Sequence, residues 1–254
     1  MDFTMIQDEE LFEEPFLSEY RDEMKFFYSE LVDLNLHLFI IDKIRRFRFD
    51  LFVSPNQTIF FSTVLNSFFD SSILRITRLV TDAKESLRTI KPFKNKIIKN
   101  MKPHYVDDFK KRLKEVDFEK NTNELQNKIR ARRDQRIAHM IRNVSEEELR
   151  NSTVYLKDLF DLREQLNLLL SALSFGTARM MLPLLAYSEL VEHPVGVDSR
   201  TDIERILDQI AFDSQIVSLP EACPILWEAR KKKLEEHDIQ EINRYRQKLG
   251  LANV

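Results

Sequence analysis

Residues 17–49 read LSEYRDEMKFFYSELVDLNLHLFIIDKIRRFRF. Apolar side chains recur at Phe27, Leu31, Leu34, Leu38, Ile41 and Ile44 in steps of three and four, the spacing of one helix face. A long amphipathic helix from about Leu17 to Phe49 follows. The rest of the chain agrees with it. Nowhere does a run of any length alternate with period two, and the only glycines are Gly176, Gly196 and Gly250. So few glycines leave little for the tight turns of a sheet protein. The expected fold is all-α, an up-and-down bundle with extra C-terminal helices.

Working outward, Ser54-Pro55 offers a cap and a first-turn proline for a helix that runs to Val80. That helix, with Ile59, Phe60, Val64, Phe68, Leu74, Ile76 and Leu79, is apolar enough to sit centrally. Residues 82–102 suggest one short helix with Pro92 near a turn or kink, and Val106 to Val116 a second. Asn121-Thr122-Asn123 resembles a cap for a helix through Leu125, Ile129 and Ile137 to about Ile141. A polar break over Asn143–Thr153 precedes a long helix from Val154, kinked or ended by Pro183. Glu192–Arg200 is rich in turn residues and reads as a linker. Thr201-Asp202-Ile203-Glu204 is a capping box beyond it, and the last 30 residues, with Trp227 and Arg230–Lys233, suggest a charged terminal helix. The expected domains are an acidic N-terminal segment at 1–16, a helical bundle at 17–192, and a linker with accessory helices at 193–254.

Composition excludes several functions. A Gly-rich phosphate loop or dinucleotide fingerprint cannot be assembled from three scattered glycines. The single cysteine, Cys223, rules out an internal disulfide or multi-thiolate metal site. The five histidines form no His-x-x-x-His pair, so no metal or other cofactor is expected. The apolar run Leu166–Tyr187 contains Arg179 and Pro183 and falls short of about 20 clean apolar residues for a membrane span. A cytoplasmic protein without membrane contact is the expectation. The net charge of -3 conceals segregation: residues 2–30 carry ten acids, and residues 91–114 carry nine Lys or Arg. Residues 128–142 add Lys128, Arg130, Arg132, Arg133, Arg136 and Arg142 against Asp134 alone. Such fields attract phosphate backbones, although a charge run also serves as a solvated helix face.

The segment with most chemistry is Arg130-Ala131-Arg132-Arg133-Asp134-Gln135-Arg136-Ile137-Ala138-His139. Histidine moves protons near neutral pH, and arginine holds phosphate oxygens in two-pronged contacts. Together they can cleave RNA without a metal: the 2′-hydroxyl attacks the adjacent phosphorus while cations stabilise the charged transition state. The same segment also fits a helix whose Ile137-Ala138-His139 face packs inward with its arginines in solvent. On a helical wheel at about 100° per residue, Arg132 and Gln135 lie nearest His139, Arg136 about 60° away and Arg133 about 120° away.

Arg133-Asp134-Gln135-Arg136-Ile137-Ala138-His139 resembles the arginine, four-to-six residues, histidine motif of HEPN proteins, which typically carries a polar residue after the arginine. The Ala-His ending resembles the abortive-infection AbiU-type branch, as does the apolar helix Phe60–Leu79 with its Arg78-Leu79 pair. The resemblance covers roughly residues 20–190. It implies a HEPN-type bundle that dimerises with the motif near the two-fold axis. It also implies metal-independent RNA cleavage to a 2′,3′-cyclic phosphate, in toxin–antitoxin or phage defence. Arg133 would contact the scissile phosphate, His139 would act as acid/base or orient the 2′-hydroxyl, and Asp134 would occupy the polar position that orients both. Arg132 and Arg136 remain alternative phosphate ligands, and Asp70, Arg75 and Arg78 are candidates to face the motif. Expected partners are RNA, a second copy, and an antitoxin protein. The alternative is a non-catalytic dimeric module that binds nucleic acid, nucleotide or a partner protein.

Overall fold

The computed structural model describes residues 6–54, 58–80, 88–138, 145–174 and 202–254. All regular secondary structure among the described residues is helical. Short α1 (Asp8–Leu11) precedes α2 (Phe16–Arg46), α3 (Phe49–Phe52) and α4 (Ile59–Val80). Then come α5 (Ile90–Asn100), α6 (Pro103–Val116) and α7 (Phe118–Arg132), whose backbone continues as a π-helix over Arg133–Ala138. The series continues with α8 (Glu146–Asn151), α9 (Leu156–Leu173), α10 (Asp202–Asp213), α11 (Gln215–Ala222), α12 (Pro224–Lys231) and α13 (Glu236–Lys248). No described helix is long and apolar enough to cross a membrane.

Contacts divide the chain into two compact units: Met1–Phe39 with Ser67–Glu192, and Ile40–Asn66 with His193–Val254. Residues 40–66, in the middle of the range expected to form one bundle, therefore group with the C-terminal helices. In the first unit, α9 packs on α6 and α7. Its core joins Phe27, Leu31, Leu34 and Leu38 of α2 to Ile73, Ile76 and Leu79 of α4, Phe93 and Ile97 of α5, and the Leu159–Leu173 face of α9. Phe27 lies tilted against Phe93 and Tyr20 stacks on it, at 5.3 and 5.9 Å between ring centroids, and the Tyr20 hydroxyl donates to Leu173 O. Each such side chain removed from water stabilises the fold by about 1.5–3 kcal/mol.

The second unit is built on Phe47, Leu51, Phe52, Leu207, Ala211, Trp227, Ile242 and Tyr245. Arg246 is fully buried within it; its guanidinium forms an ion pair with Glu221 and donates to the Val217 and Ala252 carbonyls. A buried charge persists only when every donor finds such a partner.

Several local expectations change for identifiable reasons. The first helix stops at Arg46, short of Phe49, because Phe47 turns into the aromatic group of Phe49, Phe52 and Tyr245 while Arg48 binds Asp50 and Asp238. Pro92 does not kink α5; it sits in the first turn, where a missing N–H breaks no helical bond. Asn121-Thr122-Asn123 is not a cap but lies inside α7, which starts behind Asp117 with its left-handed φ of 45°. The polar side chains turn back on the backbone, Asn121 to Val116 O and Thr122 to Phe118 O. The polar break holds α8, started by a reciprocal box between Ser145 and Glu148. One terminal helix is instead α12 and α13. Pro183, the Glu192–Arg200 linker and Thr201 lie outside the described residues.

Candidate active site

The motif stands where α7 changes geometry. Ile129, fully buried, ties the helix to the core one turn before the arginines. From Arg133 to Ala138 the turn widens to i→i+5 bonding, a local insertion frequent at functional sites. Within it Arg133 Nε donates to Asp134 Oδ1 at 2.7 Å. The two motif residues expected to cooperate are thus in direct contact. The widened turn also means that a regular wheel no longer relates Arg133 to residues beyond it. His139 and the Arg136 side chain lie outside the described residues.

Helix α4 supplies the opposite wall. Its neighbouring residues Phe69 and Asp70 both address Arg132: the guanidinium carbon lies 5.9 Å from the Phe69 ring centroid, and Nη2 lies 4.0 Å from Asp70 Oδ1. A cation over a ring at that distance is attracted by its negative face. Arg132 is accordingly only 21% exposed. Gln135, inside the widened turn, has its Oε1 buried with no hydrogen bond from a described residue.

Arg75 and Arg78 have other contacts. Arg75 spans Glu30 and Asp33 of α2 at 2.9 Å each, and Arg78 reaches Glu30 at 3.4 Å. His37, one turn further along α2, lies with its ring 4.8 Å from Phe68 and its Nδ1 buried without a described partner. Burial, then the charge of Arg75, hold its pKa below the usual histidine value, against the opposing pull of Asp33 and Glu30. The structure thus brings Asp70 to Arg132, while the contacts of Arg75 and Arg78 run to α2. Phe69, Glu30, Asp33 and His37 were not singled out from sequence. The Glu30, Asp33, His37 spacing was legible there as one polar stripe, but not what it would meet.

The segregated charge is partly answered within the fold. Arg88 bonds Glu23, Lys96 bonds Glu19, and Lys102 Nζ donates to Glu9 O. Basic residues flanking and within α5 are thereby held by the acidic N-terminal stretch. Among the described residues no group of three His, Cys, Asp or Glu is placed to hold a metal ion.

An all-α bundle carrying an arginine-rich turn over an upstream apolar helix is the architecture of a HEPN domain. The AbiU2 family model of HEPN domains matches residues 17–193, and the chain belongs to that family. No curated protein and no solved structure matches the chain.

Proposed function

We propose that the protein is a metal-independent endoribonuclease acting in toxin–antitoxin or phage defence, in the cytoplasm. The observation that carries this reading is the run Arg133–His139, at full motif spacing, inside the family match. The 2′-hydroxyl gives its proton to His139 as its oxygen attacks the adjacent phosphorus. The P–O5′ bond breaks, a proton goes to the departing 5′-oxygen, and a 2′,3′-cyclic phosphate remains. Arg133, with Arg132 and Arg136 beside it, stabilises the charge that builds on the phosphoryl oxygens. Asp134 holds the Arg133 guanidinium, and Asp70 holds that of Arg132.

A second copy of the chain completes the cleft in this reading. Support comes from α4, whose residues 59–71 include none that is buried although Ile59, Phe60, Phe61, Val64, Phe68 and Phe69 are apolar. Ile59 is 70% and Phe60 67% exposed, the kind of surface that marks an interface. Phe60→Glu is expected to shift the protein toward monomer in sedimentation equilibrium; an unchanged mass would remove α4 from the interface.

A second reading has its own support. Arg132 and Arg133 already carry carboxylate partners within the chain, which suits a non-catalytic module that binds nucleic acid, nucleotide or an antitoxin protein. Cleavage of labelled single-stranded RNA in EDTA separates the two. The nuclease reading expects cyclic-phosphate products from wild type and none from a folded His139→Ala variant. Binding without cleavage by the wild type would favour the module.

A further inference from the structure

From Arg132 to Gln135, the polar side chains that enter the motif are engaged with one exception. Arg132 meets Phe69 and Asp70, and Arg133 bonds Asp134. Gln135 differs: its Oε1 is buried and accepts no hydrogen bond from a described residue. A buried amide oxygen left unmet is costly, because the bonds it makes to water in the unfolded chain are not replaced. Native proteins keep few such groups. This one stands in the π-turn over Arg133–Ala138, a widening frequent where a helix serves a site. The residue as a whole is only half-buried, and no hydrogen bond holds its amide oxygen inward. Turning the amide to a ligand therefore satisfies an unmet acceptor and gives up no bond that the acceptor makes in the fold.

The chemistry of the group narrows the ligand. A primary amide sets an acceptor beside a donor in one plane. Here the acceptor lacks a partner, so the ligand must bring a donor, with an acceptor next to it for the amide nitrogen. Adenine presents that pair, its N6 amine beside a ring nitrogen, on both of its hydrogen-bonding edges. Guanine has two acceptors together on one edge, and each pyrimidine offers the pair on one edge only. Single-stranded RNA leaves both edges of a base open. Gln135 follows Arg133, the proposed phosphate ligand, by two residues, close enough for one nucleotide to span both.

We propose that Gln135 is the specificity-determining residue of the motif, reading an adenine beside the scissile phosphate through its side-chain amide. The inference rests on the nuclease reading, which supplies RNA as the ligand.

Cleavage in EDTA of a labelled oligouridylate carrying one internal adenosine tests it, since each strand compares the adenosine bonds with uridine bonds. The wild type is expected to cut beside adenosine at least about tenfold faster than between uridines, the discrimination of one good amide–adenine pair. Purine riboside in place of adenosine lacks the N6 amine and should lose that advantage. Gln135→Met and Gln135→Leu should cut all bonds at similar rates. Neither should lower the urea midpoint, since the buried oxygen makes no bond to lose. Equal cutting at every bond by the wild type would overturn the proposal while leaving the nuclease reading intact. A preference retained in both variants, or a lowered urea midpoint in Gln135→Met, would overturn it too, the latter by showing that the amide serves the fold. Cleavage of no bond would instead sink the nuclease reading. Fluorescence anisotropy with the same strands then decides on Gln135 alone. Tighter binding of the adenosine strand than of the purine riboside strand, equalised in Gln135→Met, keeps the assignment, and equal affinities in the wild type end it.

Discussion

At the residue scale, the most consequential group outside the motif is Glu30. It is 8% exposed and accepts from both Arg75 and Arg78. Glu30→Ala would leave Arg75 with Asp33 alone, a half-buried cation short of one partner. The expected loss is about 2 kcal/mol, between the values for surface and buried pairs, read as a lower urea midpoint. His37 gives a pH signature. Its folded pKa is depressed by burial and then by Arg75, so the unfolded chain takes up the proton more readily. That contribution is intact above about pH 6.5 and is lost as the pH falls from there through the folded value. Urea midpoints should therefore fall between pH 7.5 and 5.5. His37→Phe, which keeps a ring against Phe68, should flatten that slope. An unchanged slope in the variant would place the dependence elsewhere.

At the element scale, α6 and α7 meet at Asp117, whose φ of 45° serves as the C-cap of one and the N-cap of the other. A side chain there carries left-handed strain that glycine would not. Its ion pair with Lys120, at 3.8 Å and exposed, gives little in return. Asp117→Gly should therefore hold or raise stability by up to about 1 kcal/mol, and Asp117→Val should lower it. Thermal melts should place Asp117→Gly at or above the wild type and Asp117→Val below it. The junction matters to the site because α7 carries the arginines; its register sets which of them faces α4. The π-turn beyond Arg132 is the other determinant. It places Arg133 beside Asp134, while Arg132 keeps the regular helix and meets Phe69 and Asp70.

At the scale of the whole molecule, the family match over residues 17–193 and the division into compact units do not coincide. Residues 40–66 belong to the matched range yet pack with the C-terminal helices. The single tryptophan, Trp227, is 4% exposed in the core of that second unit. Trp227→Ala should cost about 3–5 kcal/mol, as for other buried aromatic truncations. Far-UV circular dichroism during urea unfolding reads this, and a shift below about 1 kcal/mol would contradict the packing around it.

Much of this protein was decided by its sequence alone. The six apolar positions Phe27 to Ile44 that define the first helix are all buried, because a period near 3.6 leaves one face for the core. The same local logic fixed the helical class and put the arginines on a helix. Other signals, such as the Ser145–Glu148 box, were present but short enough to pass as a polar break. Only the tertiary structure decided the rest. Nothing within residues 17–49 says that Phe47 leaves the helix to meet Tyr245, some two hundred positions on. Nor does α4 announce that Asp70 meets Arg132 while Arg75 and Arg78 turn to Glu30. Periodicity is a property of neighbours in the chain, whereas partnership of charges and rings depends on which distant helices the core brings together.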